Sequence, residues 1–153
     1  MGKGKERRGK KTPFAVPVPE QAGKVPRAVP GASSYQQSPS WRVGALEMVD
    51  PYGWHEIDAG TLLRIHRFLS NMESMTWSEI LIRGKKHHHS VKVSQICPAA
   101  QRRLEELNLM LEDLVSLGLS NTERIWGYLV SGTLVLLWWD PGHQVYPTPK
   151  KHT

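Results

Sequence analysis

Residues 124–143 read Arg-Ile-Trp-Gly-Tyr-Leu-Val-Ser-Gly-Thr-Leu-Val-Leu-Leu-Trp-Trp-Asp-Pro-Gly-His. Two apolar runs of strand length flank Ser131-Gly132, a two-residue loop in which glycine supplies the positive φ that tight hairpin turns need. Residues 123–130 and 133–139 are therefore expected to pair as a β-hairpin, with Asp140-Pro141-Gly142 as the turn that ends it. The simplest register sets Val130 opposite Thr133, Tyr128 opposite Val135, Trp126 opposite Leu137 and Arg124 opposite Trp139. One face then holds Arg124, Trp126, Tyr128, Val135, Leu137 and Trp139, and the other Ile125, Gly127, Leu129, Leu134, Leu136 and Trp138. The second face is wholly apolar and is expected to lie against helices, each large side chain contributing roughly 1.5–3 kcal/mol by burial. The first is amphipathic and is the face expected to meet a ligand.

Upstream of the hairpin, the pattern alternates between helix and extended chain. Residues 41–49 read as a strand, with Trp41, Val43, Ala45 and Val49 on one face and Glu47 interrupting it. Asp50-Pro51-Tyr52-Gly53 is a turn. Asp58 is an N-cap for a helix to about Asn71, whose apolar stripe is Leu62, Ile65, Leu69 and Met72 with Phe68 alongside. Thr76-Trp77-Ser78-Glu79 has capping-box spacing and predicts a short helix through Ile82. Residues 83–89 are polar and read as a loop, and 90–95 as a short extended piece. Pro98 suits the first position of a helix running to about Asn108. Residues 111–119 fit helix or strand, with Gly118 favouring strand at the end.

The charge is unevenly placed. Residues 1–40 contain eight Lys or Arg against two acids, a net of +6, while residues 41–153 contain twelve of each and balance. Six of the eleven prolines and none of the six tryptophans lie in the first forty residues. That segment is expected to be a disordered, basic, proline-rich tail, and residues 41–153 a single domain. The basic excess thus describes the tail and gives no argument for a nucleic-acid-binding fold. The lone cysteine, Cys97, excludes an internal disulfide and reads as a helix-entry residue. No apolar run approaches a membrane span, and the basic N-terminus lacks an apolar signal region, so the expected setting is the cytoplasm, away from membranes.

Several residues invite chemistry. Arg124 beside Trp139 would make a cation–π pair worth about 0.5–2 kcal/mol, and a platform for stacking a nucleotide base and holding its phosphate. The same pair also reads as the closing edge of a core. Asp140, placed to accept backbone amides in its turn, would orient the imidazole of His143 as a general base. A surface histidine is the plainer reading of His143. Consecutive side chains at His87, His88 and His89 point apart and lack companion ligands, so they read as a solvated loop that joins Lys85 and Lys86 in a basic patch. His66 reads as a boundary residue beside its helix stripe. No phosphate-cradling glycine loop, zinc-ligand motif or nucleophile elbow occurs, and neither a metal nor a cofactor is expected.

The run from Arg124-Ile-Trp-Gly-Tyr through Trp138-Trp-Asp-Pro-Gly-His-Gln-Val-Tyr-Pro to Lys150-Lys-His-Thr resembles the C-terminal signature of a group of small bacterial proteins. That group is associated with mobile elements and toxin–antitoxin-like loci. Met75-Thr-Trp and Ala100-Gln-Arg-Arg-Leu-Glu-Glu-Leu extend the resemblance over most of residues 41–153. The order of elements is in turn similar to the RelE/ParE toxin superfamily, from which the helix at Pro98 is a departure. The resemblance implies a metal-independent ribonuclease toxin with RNA as substrate and a cognate antitoxin as partner. Arg124 and His143 would be its catalytic residues, and Trp126, Trp139, Lys150 and Lys151 would bind the RNA. A non-catalytic RNA- or protein-binding module on the same hairpin face is the alternative. The expected fold is α+β: a small antiparallel sheet covered on one face by two or three helices.

Overall fold

A computed structural model describes residues 34–147. The expectations for residues 1–33, and for Lys150 and Lys151, lie outside that range. Five strands form one mixed sheet: β1 (Ser40–Arg42), β2 (His88–Lys92), β3 (Asp113–Gly118), β4 (Arg124–Val130) and β5 (Thr133–Asp140). Their order is β1-β5-β4-β3-β2; β1 runs parallel to β5 and every other pair is antiparallel. Two α-helices, α1 (Ala59–Met72) and α2 (Pro98–Glu106), and a π-helical turn at Glu79–Arg83 pack against it. The α+β class holds.

Local chemistry places the helices where the sequence put them. Asp58 Oδ1 accepts from the Thr61 amide at 2.7 Å and caps α1. Thr76 Oγ1 accepts from the Glu79 amide at 3.2 Å, the forward half of the capping box. Pro98 opens α2. The Ser131-Gly132 loop has φ of 48° and 85°, the paired positive values of a type I′ hairpin turn.

The hairpin register departs from the simplest pairing halfway along. Val130 pairs with Thr133, Tyr128 with Val135 and Gly127 with Leu136, but Trp126 then pairs with Trp138, Ile125 with Trp139 and Arg124 with Asp140. Leu137 is the additional residue of a β-bulge. Gly127 makes the close approach that the bulge demands: a Cβ there would lie 2.4 Å from the Val135 carbonyl oxygen. Arg124 is thus opposite Asp140, and the expected Arg124–Trp139 pair does not form.

The bulge also redistributes the core. Ile125, Leu134, Leu136 and Trp139 pack with Ile65, Met72, Trp77 and Ile80 on the α1 face. Trp126, Leu137 and Trp138 pack with Tyr52, Ile96, Ala100 and Leu104 on the α2 face. Helical cover is therefore divided between the two faces, where the sequence reading had placed it on one. The near-continuous apolar run of β5 is what a strand buried on both sides requires.

Residues 34–40 are part of this domain and not of the tail. Residues 34–36 form a 3-10 turn, the Trp77 amide donates to the Gln37 carbonyl at 3.0 Å, and Ser40 pairs with Thr133. The expected strand over 41–49 shortens to the Ser40–Arg42 segment. Glu47, which interrupts its apolar pattern, is the anchor of the irregular segment that follows. Its buried carboxylate accepts from Trp138 Nε1 at 2.8 Å and from Arg103 Nε at 2.9 Å and Nη2 at 2.5 Å. Burial pushes this carboxyl group up, but the Arg103 and Trp138 hydrogen bonds outweigh it, and Glu47 stays below the usual carboxylate range. It ties α2 to β5 across that face of the sheet.

Candidate functional site

At one end of the sheet, four strands bring a group of polar side chains together. The β2 strand begins at His88, so His88 and His89 belong to the sheet and not to a loop. His89 pairs with Ser116, Ser116 with Trp126, and Trp126 with Trp138. One step further along the strands, Gly118 pairs with Arg124 and Arg124 with Asp140. Side chains two apart on a strand share a face, so His89, Ser116, Arg124 and Asp140 lie on the α2 side of the sheet.

Asp140 behaves as its turn sequence requires. Its carboxylate is buried and accepts from the amides of Gln144 and Val145, each at 2.9 Å, and from Trp126 Nε1 at 3.3 Å. These bonds close residues 141–145 into a tight loop with His143 at its tip, in the left-handed conformation at φ 54°. A non-glycine residue held there is uncommon, and the two clamped amides over-determine it. Burial and the Arg124 charge hold the His143 imidazole below its ordinary pKa, the Asp140 charge works against them, and His89 adds to the lowering. Arg124, Asp140 and His89 are therefore all near enough to act on the charge of His143.

Arg124 is half-buried. Its guanidinium donates to the carbonyls of Ser120, Glu123 and Asn121, the last two at 3.0 and 3.2 Å. Nε is buried with no hydrogen-bond partner among the described residues. Burial lowers its pKa and Asp140 opposes this; the group stays charged at neutral pH. Glycine at 118, the pairing partner of Arg124, permits the close approach of β2: a Cβ there would sit 2.6 Å from the His87 carbonyl oxygen.

His88 faces the other way. Its ring packs against Phe68 at 5.7 Å, and its Nδ1 accepts from the Gly118 amide at 3.1 Å. Burial, then the charges of His87, His89 and Arg124, push its pKa down to about 4. The fold thus favours the neutral ring. The stability this provides is present in full above about pH 6.5 and is lost as pH falls through that value towards about 4. In His88→Asn, whose Oδ1 keeps an acceptor in the place of Nδ1, the fall in urea midpoint between pH 7 and pH 4.5 should be smaller than in the wild type. An equal fall in both proteins would rule out His88 as its source.

Of the residues singled out in the sequence, Arg124 and His143 meet at this end of the sheet. The aromatic ones do not serve as a stacking platform, since Trp126 is 1% exposed and Trp139 is 7% exposed, each packed in a core. Trp139 is on the α1 face, away from Arg124, because the bulge carries it across. His89 and Ser116 were not legible as site residues. The period-two spacing of His87, His89 and Val91 was their one signal, and it is weak at a polar sheet edge. Among the described residues no helix is long and apolar enough to cross a membrane. Searches among protein-family models, curated proteins and solved structures find no match to this chain.

Proposed function

We propose that the protein is a RelE-like toxin that acts on RNA as a metal-independent ribonuclease, with Arg124 and His143 as its acting residues. The observation that supports this is the electrostatic grouping of Arg124, His143 and His89 at one sheet end, with Asp140 clamping the loop that carries His143. In such a cleavage the 2′-hydroxyl oxygen attacks the neighbouring phosphorus and the P–O5′ bond breaks. A cyclic phosphate and a free 5′-hydroxyl result; one proton leaves the 2′-oxygen and one reaches the 5′-oxygen. An imidazole kept neutral by its surroundings serves as the acid or base, and a guanidinium neutralises charge on the phosphoryl oxygens. Lys150 and Lys151 remain phosphate contacts on sequence grounds, and a cognate antitoxin is the expected protein partner.

Such a site works without a stacking tryptophan. The alternative, an RNA-binding module without catalysis, moves to the same sheet end, because the hairpin's tryptophans are buried. Induced expression separates the two. Growth arrest, together with RNA fragments that end in a cyclic phosphate when purified protein is incubated with RNA and EDTA, is the expected result. No arrest in several hosts and intact RNA in vitro would leave the binding module.

A further inference from the structure

We infer that this sheet end holds a phosphate-binding pocket made by His89, Ser116, Arg124 and His143, with His89 as a second working imidazole. The inference rests on the reading that the site handles RNA, and it supplies what that reading lacks, a partner for His143 in moving protons.

Three observations lead to it. His89 Nδ1 lies 3.1 Å from the Lys85 carbonyl oxygen. A carbonyl only accepts, so Nδ1 carries a proton and Nε2 is left as the exchangeable position. The ring is thereby oriented on the strand next to Ser116, on the face that carries Arg124. Ser116 is 1% exposed, and its hydroxyl has no hydrogen-bond partner among the described residues. A buried hydroxyl left without a partner is destabilising, and Arg124 Nε, in the next row of the same face, is in the same condition. Two donors thus stand without acceptors beside a retained positive charge. Among the described residues no carboxylate forms an ion pair with Arg124, and Asp140 opposite it already accepts from three donors.

A hydroxyl, a guanidinium N–H and two imidazoles are matched by a tetrahedral anion rich in acceptor oxygens. A metal ion would be repelled by Arg124, and a neutral ligand would leave that charge uncompensated. Entry requires the guanidinium to swing away from the carbonyls of Ser120 and Asn121, which belong to an exposed loop. The pocket would then close around one phosphoryl group of an RNA strand, with His89 and His143 available to take the proton from the 2′-oxygen and return one to the 5′-oxygen.

The test is a titration of the full chain at low ionic strength with inorganic phosphate and, separately, with 3′-UMP, read at the Cε1–H signals of His89 and His143. Both signals should shift, and 3′-UMP should bind more tightly than phosphate. In Ser116→Ala the phosphate affinity should fall about tenfold while the unfolding midpoint rises, because an unsatisfied hydroxyl has been removed. His89→Asn keeps a donor for the Lys85 carbonyl but lacks Nε2, and should weaken binding, read at His143, to a similar degree. If Ser116→Ala is more stable and binds phosphate as well as the wild type, Ser116 is a core residue and the pocket is wrong. Absence of any shift with phosphate overturns the pocket even where RNA cleavage persists, and equal affinity for phosphate and 3′-UMP overturns its assignment to RNA. Loss of RNA cleavage with phosphate binding intact strikes the ribonuclease reading and leaves the pocket standing.

Discussion

Trp138→Ala and Trp139→Ala should each destabilise the protein by about 3–5 kcal/mol, the range for removing a fully packed indole from a core. Trp138 is 0% exposed and packs against Tyr52 at a ring distance of 5.2 Å. Its Nε1 also donates to Glu47, so truncation takes a partner from a buried carboxylate as well as opening a cavity. Trp139 is 7% exposed, lies on the opposite face and packs 6.4 Å from Trp54. Urea denaturation of the two single variants measures both costs. Neutral quenchers should reach neither indole in the folded state. A hairpin without the bulge predicts a different result, a large loss at Trp138 and a small one at Trp139. Should Trp139→Ala prove nearly neutral, the two-sided core described above is incorrect.

His143→Ala should reduce RNA cleavage by about 10²- to 10⁴-fold, the usual contribution of a positioned acid or base. The histidine sits at the tip of a loop fixed by Asp140, and its own side chain contributes little to either core. Far-UV circular dichroism and the unfolding midpoint should therefore stay close to those of the wild type. His143→Gly would relieve the left-handed backbone at φ 54° and should be at least as stable as His143→Ala. Activity should be lost in both. If the glycine variant retains cleavage while folding normally, His143 is a turn residue and the ribonuclease reading loses its acid–base group.

The parts of this fold that were legible in the sequence are governed by neighbours within a few residues. Asp58 and Thr76 cap helices through bonds that span three positions, Pro98 opens one through its fixed φ and missing amide hydrogen, and Ser131-Gly132 turns a hairpin through its positive φ values. Asp140 clamping the amides of residues 144 and 145 is of the same kind, and it brought His143 into view. What was not legible depends on distant partners. The bulge follows from the approach of Gly127 to the Val135 carbonyl and from two cores competing for β5. Glu47 breaks an apolar pattern because it meets Arg103, 56 residues along the chain. His88 and His89 look like loop residues until β3 exists to pair with them, since an edge strand with polar side chains lacks the apolar alternation that announces a strand.

The additional residue in β5 works as a phase shifter. Before Leu137 the strand delivers its even-numbered side chains to α1; after it, the odd-numbered Trp139 goes there and the even-numbered Asp140 goes to α2. Straightening the strand with Leu137 retained would interchange the destinations of the side chains that follow, whereas deleting Leu137 together with the bulge would leave them on their present faces, because Leu137 and Trp138 both face α2. In the straightened strand Asp140 would be turned away from Trp126, and the loop that it anchors would lose its moorings, without any change in the residues of the site. The pairing register of this strand is thus under tighter constraint than the identities of its aliphatic residues. A shift of phase there is a change of address for the chemistry at its end.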